Sequence, residues 1–203
     1  MKILCIGRNY QEHIKELNSA RPSEPVFFMK PDTSLLTRNR PFYLPDFSNE
    51  MHYEAELVLK ICKVGKNIQQ KFAATYYDEI GIGIDFTARD LQNKCKDKGL
   101  PWLISKGFDH ASPIGKFLKK NTFEDVHNIS FHLEKNGQVV QQTSSQEMIF
   151  SFEEIISYVS RFITLKMGDL IFTGTPSGVG PVAIGDWLEA FIEGQKLLGC
   201  SVK

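Results

Sequence analysis

The chain has 203 residues, of which 42 % are hydrophobic and 24 % are charged, and 24 basic residues balance 24 acidic ones. This size and composition are typical of one globular domain and exclude collagen-like and disordered chains. A nucleic-acid binder usually carries a basic excess, and a membrane span needs about 20 apolar residues in a row. The sequence has neither feature, so we expect no nucleic-acid and no membrane partner.

The four cysteines lack the spacing of a zinc ribbon or a redox motif. They are Cys5, Cys62, Cys95 and Cys200, and no two of them lie two or three residues apart. The first residues form too short an apolar run for a signal peptide. We therefore expect reduced thiols and a cytoplasmic location.

Strands are the element that the sequence predicts most often. Apolar periodicity predicts them at residues 2–8, 26–30, 52–60, 80–86, 128–134, 138–143, 169–173, 187–192 and 195–202. Asn136-Gly137 and Glu193-Gly194 are turn dipeptides that predict tight hairpins. These features favour a mostly β, α+β fold whose sheets are largely antiparallel.

Short helices are expected at residues 9–17, 87–98 and 152–162. Asn9 is the expected cap of the first helix, and Gly99 is expected to end the second. Residues 1–203 are expected to form a single domain, in which prolines divide residues 1–50 into extended pieces.

Three carboxylates are candidates for a metal site. On a strand, Glu54 and Glu56 face the same side with their Cα atoms about 6.8 Å apart. Asp85 follows a run of apolar residues and glycines, where a carboxylate is costly unless it is paired or bound to a metal. Three carboxylates would favour Mg²⁺, Ca²⁺ or Mn²⁺ over zinc. The alternatives are a solvated edge strand for the glutamates and a helix cap for Asp85.

Two further features could carry chemistry. His13 and Glu16 are neighbours on the predicted helix, where the carboxylate would fix the imidazole tautomer for a general base. Lys106 could reach into a pocket and neutralise an anion. A surface pair and a loop charge are the alternatives.

The stretch 171–181 is dense in Gly, Thr and Pro. Its backbone N–H groups and hydroxyls could cradle a carboxylate or a phosphate. It contains neither a Walker loop nor a dinucleotide-binding loop, and a rigid turn is the alternative.

The order of the motifs along the chain is more specific than any single motif. They are Gly7-Arg8-Asn9-Tyr10-x-x-His13-x-x-Glu16, Phe28-Met29-Lys30-Pro31, Tyr53-Glu54-Ala55-Glu56-Leu57, Asp85-Phe86-Thr87-Ala88-Arg89-Asp90-Leu91-Gln92, Lys106-Gly107-Phe108-Asp109 and Thr173-Gly174-Thr175-Pro176-x-Gly178-Val179-Gly180. This series resembles the fumarylacetoacetate hydrolase family over nearly the whole chain. It is most similar to the short-chain branch that contains acylpyruvate hydrolases and oxaloacetate decarboxylases.

The resemblance implies a mixed β-roll with a few short helices, usually a homodimer, that holds one divalent cation per chain. That cation would be Mg²⁺, with Mn²⁺ or Ca²⁺ as the alternatives. The segment from about residue 9 to residue 24 would be a lid over a small 2-oxo acid substrate.

The resemblance also implies roles for individual residues. By the family pattern, the metal ligands are Glu54, Glu56 and Asp85; the water-activating dyad is His13 with Glu16; the cation beside the reacting oxygens is Lys106; and the residues that hold substrate oxygens are Arg8, Gln92 and Thr175.

The implied activity is metal-dependent cleavage of a C–C bond in a 2-oxo acid. The reaction would be hydrolysis of an acylpyruvate or fumarylpyruvate, decarboxylation of oxaloacetate, or both, through an enolate that the metal stabilises. The nearest alternative is a 2-hydroxyhepta-2,4-diene-1,7-dioate isomerase or decarboxylase of aromatic catabolism. An alternative of another class is a metal-stabilised binding module without turnover.

Overall fold

The computed structural model describes residues 1–16 and 20–203. Of these the strands are β1 (Ile3–Ile6), β2 (Phe27–Lys30), β3 (Leu35–Leu36), β4 (Met51–Tyr53), β5 (Ala55–Ile61), β6 (Tyr77–Ile84), β7 (Thr87–Ala88), β8 (Ser112–Pro113), β9 (Leu118–Lys119), β10 (Ser130–Lys135), β11 (Gln138–Ser144), β12 (Leu170–Phe172), β13 (Gly180–Pro181), β14 (Trp187–Ile192) and β15 (Gln195–Ser201). The α-helices are α1 (Gln11–Glu16), α2 (Gln70–Ala73), α3 (Arg89–Asp97), α4 (Leu103–Lys106) and α5 (Phe152–Ser160). Of the described residues, 36 % lie in strands or isolated β-bridges and 22 % in α- or 3₁₀-helices, which confirms the predicted mostly β, α+β class.

A six-stranded sheet forms the centre of the fold, in the order β2-β1-β12-β5-β6-β9. Its pairs are antiparallel except for β1 and β12, which run parallel. Both faces of β5 are covered, since Leu57 and Leu59 enter the main core while Val58 enters a smaller cluster on the other face. β5, which carries Glu56 and begins directly after Glu54, is therefore an interior strand of the sheet. The alternative that the two glutamates lie on a solvated edge strand is wrong.

A second sheet of four strands, β11-β10-β14-β15, is built from two hairpins. Asn136 and Gly137 have φ angles of +54° and +77°, and Glu193 and Gly194 have +47° and +72°. Positive φ at both central residues is the geometry of the tight hairpin turns that match strand twist. Both predicted hairpins are confirmed.

Helix α5 packs its apolar face into the main core, where Phe152, Ile155, Ile156 and Val159 are buried. Ser151 begins the helix with a capping box that it forms with Glu154. Two small sheets, β13-β4-β7 and β3-β8, complete the β structure. No helix in the described residues is long and apolar enough to cross a membrane.

Several predicted helix boundaries are wrong. Asn9 does not cap α1, because its side-chain amide donates to the carbonyl oxygens of Phe150 and Thr173 and accepts from the Phe150 N–H. The predicted helix end at Leu17 lies outside the described residues, as does part of the predicted lid. Thr87 pairs with His52 in β7, so α3 begins only at Arg89.

The end of α5 also differs from the prediction. This helix ends at Ser160, two residues before the expected end at residue 162. Asp85 caps no helix, because the N-cap of α3 is Ala88.

Candidate active site

The three candidate carboxylates come together where β5 and β6 pair. Glu54 directly precedes β5, Glu56 lies opposite Gly83 in β6, and Asp85 directly follows β6. The Asp85 N–H donates to the Glu54 carbonyl oxygen at 2.8 Å, which holds the two strand ends side by side. One ligand oxygen from each carboxylate lies within 4.8 Å of the others, and all three residues are buried.

Three buried cations surround two of these carboxylates. Lys106 Nζ lies 2.8 Å from Glu54 Oε2 and 2.7 Å from Asp85 Oδ2. Arg89 Nη2 lies 2.5 Å from Glu54 Oε1, and Lys30 Nζ lies 2.5 Å from Asp85 Oδ1. Every oxygen of Glu54 and Asp85 therefore faces a positive charge.

These cations set the protonation of the cluster. Burial by itself would raise the pKa of Glu54, but Lys106 and Arg89 outweigh it and hold that pKa well below its usual range. Burial would lower the pKa of Lys106, but Asp85 and Glu54 raise it above its usual value. Glu54 is thus a carboxylate, and Lys106 is an ammonium at neutral pH.

Glu56 differs from its two neighbours because no Lys or Arg of the described residues pairs with it. It accepts one hydrogen bond, from the Gly174 N–H to Oε2 at 2.7 Å. Burial, together with the charges of Asp85 and Glu54, raises the pKa of Glu56 well above its usual value. A buried carboxylate that lacks a counter-charge, beside two others, fits the all-oxygen donor set of a hard divalent cation.

His13 and Glu16 form the predicted pair on α1. His13 Nδ1 lies 3.1 Å from Glu16 Oε2, and the Gly178 N–H donates to Glu16 Oε1 at 3.1 Å. Burial lowers the pKa of His13, while the charges of Glu54 and Glu16 partly offset the effect. The imidazole is therefore neutral at pH 7 and within electrostatic reach of the carboxylates, as a general base requires.

Of the three candidate substrate-binding residues, Gln92 and Thr175 are buried and Arg8 is half-buried. Gln92 is buried on α3, where its Oε1 accepts from Arg89 Nη1 at 2.5 Å. Its NH₂ group donates to no other group in the part of the chain that the structure describes. Thr175 is buried directly after Gly174. Arg8 is half-buried, and no hydrogen bond joins it to the carboxylates within the described ranges. Its charge, with that of Arg89, contributes after burial to the lowered pKa of Lys96, so these cations lie within electrostatic reach of one another.

Sequence reasoning assigned no role to Lys30 or Arg89, although both stand inside the quoted motifs. Lys30 is the only charged residue of β2, and its side chain is fully buried. Arg89 follows Asp85 by four residues at the start of α3. A charge inside an apolar strand was the available signal for Lys30, and the motif position was the signal for Arg89.

The comparisons with known proteins cover the whole chain. Residues 2–203 match the family described as fumarylacetoacetate (FAA) hydrolase C-terminal. The mitochondrial oxaloacetate tautomerase of Mus musculus is 42 % identical over 201 residues, which are 99 % of this chain and 91 % of the relative. The mitochondrial oxaloacetate decarboxylase of Dictyostelium discoideum is 43 % identical over 194 residues, or 95 % of this chain and 89 % of the relative. Since both relatives are mitochondrial, they do not confirm a cytoplasmic location for this chain.

A solved structure gives the same picture of the fold. The fumarylpyruvate hydrolase of Pseudomonas aeruginosa, crystallised with Mn²⁺ and pyruvate, is 34 % identical and superimposes with a TM-score of 0.94. The match covers 100 % of this chain and 89 % of that structure. The predicted β-roll is confirmed by this similarity.

Proposed function

Because this chain belongs to the fumarylacetoacetate hydrolase family, we propose that it is a divalent-metal-dependent enzyme that cleaves a C–C bond in a 2-oxo acid. The observation that carries the proposal is the buried cluster of Glu54, Glu56 and Asp85, with the His13–Glu16 pair and Lys106 beside it. The preferred reactions are hydrolysis of an acylpyruvate or fumarylpyruvate and decarboxylation of oxaloacetate.

The three carboxylates would hold the cation, and Mg²⁺ is the ion that we propose, with Mn²⁺ or Ca²⁺ as substitutes. When bound, a divalent cation supplies Lewis-acid polarisation of the 2-oxo group and stabilises the negative charge that develops there. Two relatives support this class of chemistry, since one acts on oxaloacetate and the other was crystallised with Mn²⁺ and pyruvate.

The chain's own residues would supply the rest of the hydrolytic reaction. His13 accepts a proton from a water, while Glu16 fixes the ring through Nδ1 and stabilises the imidazolium that forms. The resulting hydroxide adds to the distal carbonyl, and the C–C bond breaks to give a carboxylic acid and the pyruvate enolate. Lys106 stands beside the ligand carboxylates, where its ammonium favours the enolate charge before a proton returns to the carbon.

Substrate oxygens need donors, and we propose three. Gln92 has an NH₂ group with no acceptor among residues 1–16 and 20–203, Thr175 has a hydroxyl, and Arg8 is a half-buried cation two residues after β1. These would hold the carboxylate and the distal oxygens of a small 2-oxo acid.

Of the preferred reactions, decarboxylation of oxaloacetate is favoured by the relative from Dictyostelium discoideum, and tautomerisation of oxaloacetate is a second candidate that the relative from Mus musculus favours. Loss of CO₂ from oxaloacetate gives the same enolate without an attacking water, so the His13–Glu16 pair would not be essential. The presence of this pair on α1 is what favours hydrolysis as an additional activity.

A metal-supplemented screen tests the proposal. Acetylpyruvate, fumarylpyruvate, fumarylacetoacetate and oxaloacetate would each be incubated with the protein and MgCl₂ or MnCl₂, and pyruvate or the other cleavage products would be measured. We expect His13→Ala to reduce hydrolysis about 10²- to 10⁴-fold, the range of general-base catalysis, and to leave decarboxylation largely intact. Inactivity of the wild-type protein with all four substrates would contradict the proposal and leave the binding-module alternative.

The assembly is a separate proposal. We propose a homodimer on the resemblance to the family alone. We also propose a cytoplasmic location, which rests on the expectation of reduced thiols. Light scattering behind size exclusion would distinguish a dimer from the 23.1 kDa monomer.

A further inference from the structure

Gln141 lies on β11, in the four-stranded sheet, and its side chain is 2 % exposed. Its Oε1 accepts at 2.9 Å from the N–H of Ala55, which lies between Glu54 and Glu56 in the sequence. Its Nε2 donates to Thr175 Oγ1 at 2.9 Å and to the Pro176 carbonyl oxygen at 3.0 Å. One amide therefore joins the backbone between Glu54 and Glu56 to the loop that carries Thr175.

The orientation of this amide is fixed by backbone groups. The Ala55 N–H is a donor and the Pro176 carbonyl is an acceptor, and neither can exchange its role. Turning the amide over would set its NH₂ against the Ala55 N–H and its oxygen against the Pro176 carbonyl oxygen. The group that faces Thr175 is therefore the NH₂ donor.

The Thr175 hydroxyl must accordingly act as the acceptor toward Gln141. A hydroxyl has one hydrogen, and that hydrogen is left to point elsewhere. Within residues 1–16 and 20–203, no protein group accepts it. Thr175 directly follows Gly174, whose N–H donates to Glu56 Oε2, so the residue that carries this hydroxyl is the chain neighbour of one that binds the carboxylate cluster.

The loop also rests directly on β11. A Cβ added to Gly178 would lie 2.2 Å from the Val140 carbonyl oxygen and 3.4 Å from Gln141 Cγ. The same glycine donates its N–H to Glu16, as described above. The loop therefore has little freedom to turn Thr175 away from Gln141.

We propose that Gln141 is a positioning residue that makes the Thr175 hydroxyl an obligate donor to a substrate oxygen. The inference rests on the proposed function, in which a 2-oxo acid binds at the carboxylate cluster. It adds that the pocket selects an acceptor at this position, such as a carboxylate or carbonyl oxygen, over a donor.

A double-mutant cycle tests whether Gln141 acts through Thr175. The variants are Gln141→Met, Thr175→Val and the double variant, with Gln142→Met as the matched control on the exposed neighbour in the same strand. The readouts are KM and kcat for the substrate that the screen identifies, and the affinity of the Mn²⁺-loaded protein for pyruvate by titration calorimetry.

We expect Gln141→Met to raise KM and the pyruvate dissociation constant roughly 3- to 10-fold, the range of one hydrogen bond, with a smaller effect on kcat. In the Thr175→Val background, the same substitution should change both by less than about 2-fold, because coupled residues are not additive. Gln142→Met should match the wild type.

Other outcomes overturn the inference in distinguishable ways. Effects of Gln141→Met that multiply with those of Thr175→Val would show a merely structural amide, and a silent Gln141→Met or Thr175→Val would also contradict the inference. If Gln141→Met does not fold, Gln141→Glu takes its place, because it keeps the acceptor for Ala55 and loses the donor to Thr175. In that case, the inference is supported only by the part of the change in KM and pyruvate affinity that disappears when Gln141→Glu is made in the Thr175→Val background. Failure of the wild-type protein to bind pyruvate or turn over any substrate would instead contradict the proposed function.

Discussion

At the scale of single residues, the candidate site is a cluster of charges in which one carboxylate, that of Glu56, has no ion-pair partner among the described residues. Lys106, Arg89 and Lys30 face Glu54 and Asp85, and none of them faces Glu56. Breaking a buried ion pair is costly because the remaining charge has no partner, whereas removing an unpaired charge relieves a cost. Glu54 and Glu56, which are two residues apart in the sequence, should therefore respond in opposite ways to the same substitution.

We expect Glu56→Gln to raise the melting temperature of the metal-free protein and Glu54→Gln to lower it. The folded pKa of Glu56 is raised above its reference value of 4.5, so its deprotonation destabilises the fold as pH rises through that pKa. The gain from Glu56→Gln should therefore grow as the pH rises above 4.5 toward the raised pKa of the folded protein, as measured by thermal unfolding in EDTA. A destabilised metal-free Glu56→Gln protein would contradict this account of the cluster.

With added metal, the wild type should have a higher melting temperature than Glu56→Gln, which is the reverse of the order in EDTA. A cation at a hundredfold excess over its dissociation constant contributes about 2.7 kcal/mol, which is roughly 5–10 °C for a chain of this size. Glu56→Gln removes one ligand charge, so its shift with MnCl₂ should be much smaller. An unchanged shift would show that Glu56 is not a ligand.

The pH dependence of hydrolysis should follow His13. Because burial lowers its pKa below the usual 6.5, the acid limb of kcat/KM should have its midpoint below 6.5, and the rate should fall as the imidazole becomes protonated. Glu16→Gln removes a charge that raises this pKa, so the limb should move to still lower pH while the maximal rate drops. The exposed His127→Gln variant is the control, and a limb that moves upward in Glu16→Gln would contradict the assignment.

At the scale of elements, the loop after β12 connects several parts of the site. Gly174 donates to Glu56, Gly178 donates to Glu16, and Thr175 receives the Gln141 amide. Gly174 has a φ of +100°, and a Cβ there would lie 2.7 Å from Asn9 Cβ. Asn9 cannot move away easily, since its side chain is bound to the backbone at Phe150 and Thr173.

Gly174→Ala should therefore destabilise the protein by more than backbone strain alone. Gly185 has a similar φ of +97° with no atom within 4 Å of an added Cβ, so Gly185→Ala is the matched control. We expect about 1–3 kcal/mol from strain in the control, and a larger loss with reduced pyruvate formation in Gly174→Ala. Urea unfolding measures the difference, and equal losses would show that Asn9 gives way.

At the scale of the whole molecule, the order of strands ties distant parts of the chain together. β12, at residues 170–172, lies between β1 and β5 in the central sheet. The site itself takes residues from α1, β5, the end of β6, α4 and the loop after β12. Such a structure has few places where one part can unfold and leave the other intact, which supports our proposal of a single domain.

We accordingly expect one cooperative unfolding transition. Trp102 lies against Phe28 beside the central sheet, and Trp187 begins β14 in the four-stranded sheet. Each of the variants Trp102→Phe and Trp187→Phe keeps one tryptophan, so its fluorescence reports on one sheet. In each variant, the fluorescence midpoint in denaturant should equal the midpoint from far-UV circular dichroism of the same variant. Two separated midpoints would indicate two independently folding units.

Features that depend on neighbours along the chain can be predicted from the amino-acid sequence. Asn136-Gly137 and Glu193-Gly194 predict tight turns, because few residues tolerate positive φ at both positions. Alternation along residues 52–60 places Glu54 and Glu56 on one side, since strand periodicity is two. His13 and Glu16 meet because helical neighbours are three residues apart. The spacing of each motif therefore carries its own local geometry.

Features that depend on pairing between distant segments are visible only in the folded chain. The register of β5 on β6 brings Asp85 beside Glu54, and no spacing in the sequence specifies that register. Three further residues reach the site from other elements. Lys30 pairs with Asp85, and Arg89 pairs with Glu54. Gln141 binds the N–H of Ala55, which lies 86 residues away in the sequence. Asn9 does not cap α1 because its amide instead binds backbone groups of Phe150 and Thr173, which lie far away in the sequence. Burial makes each such polar group find a partner, and only the folded chain shows which partner is within reach.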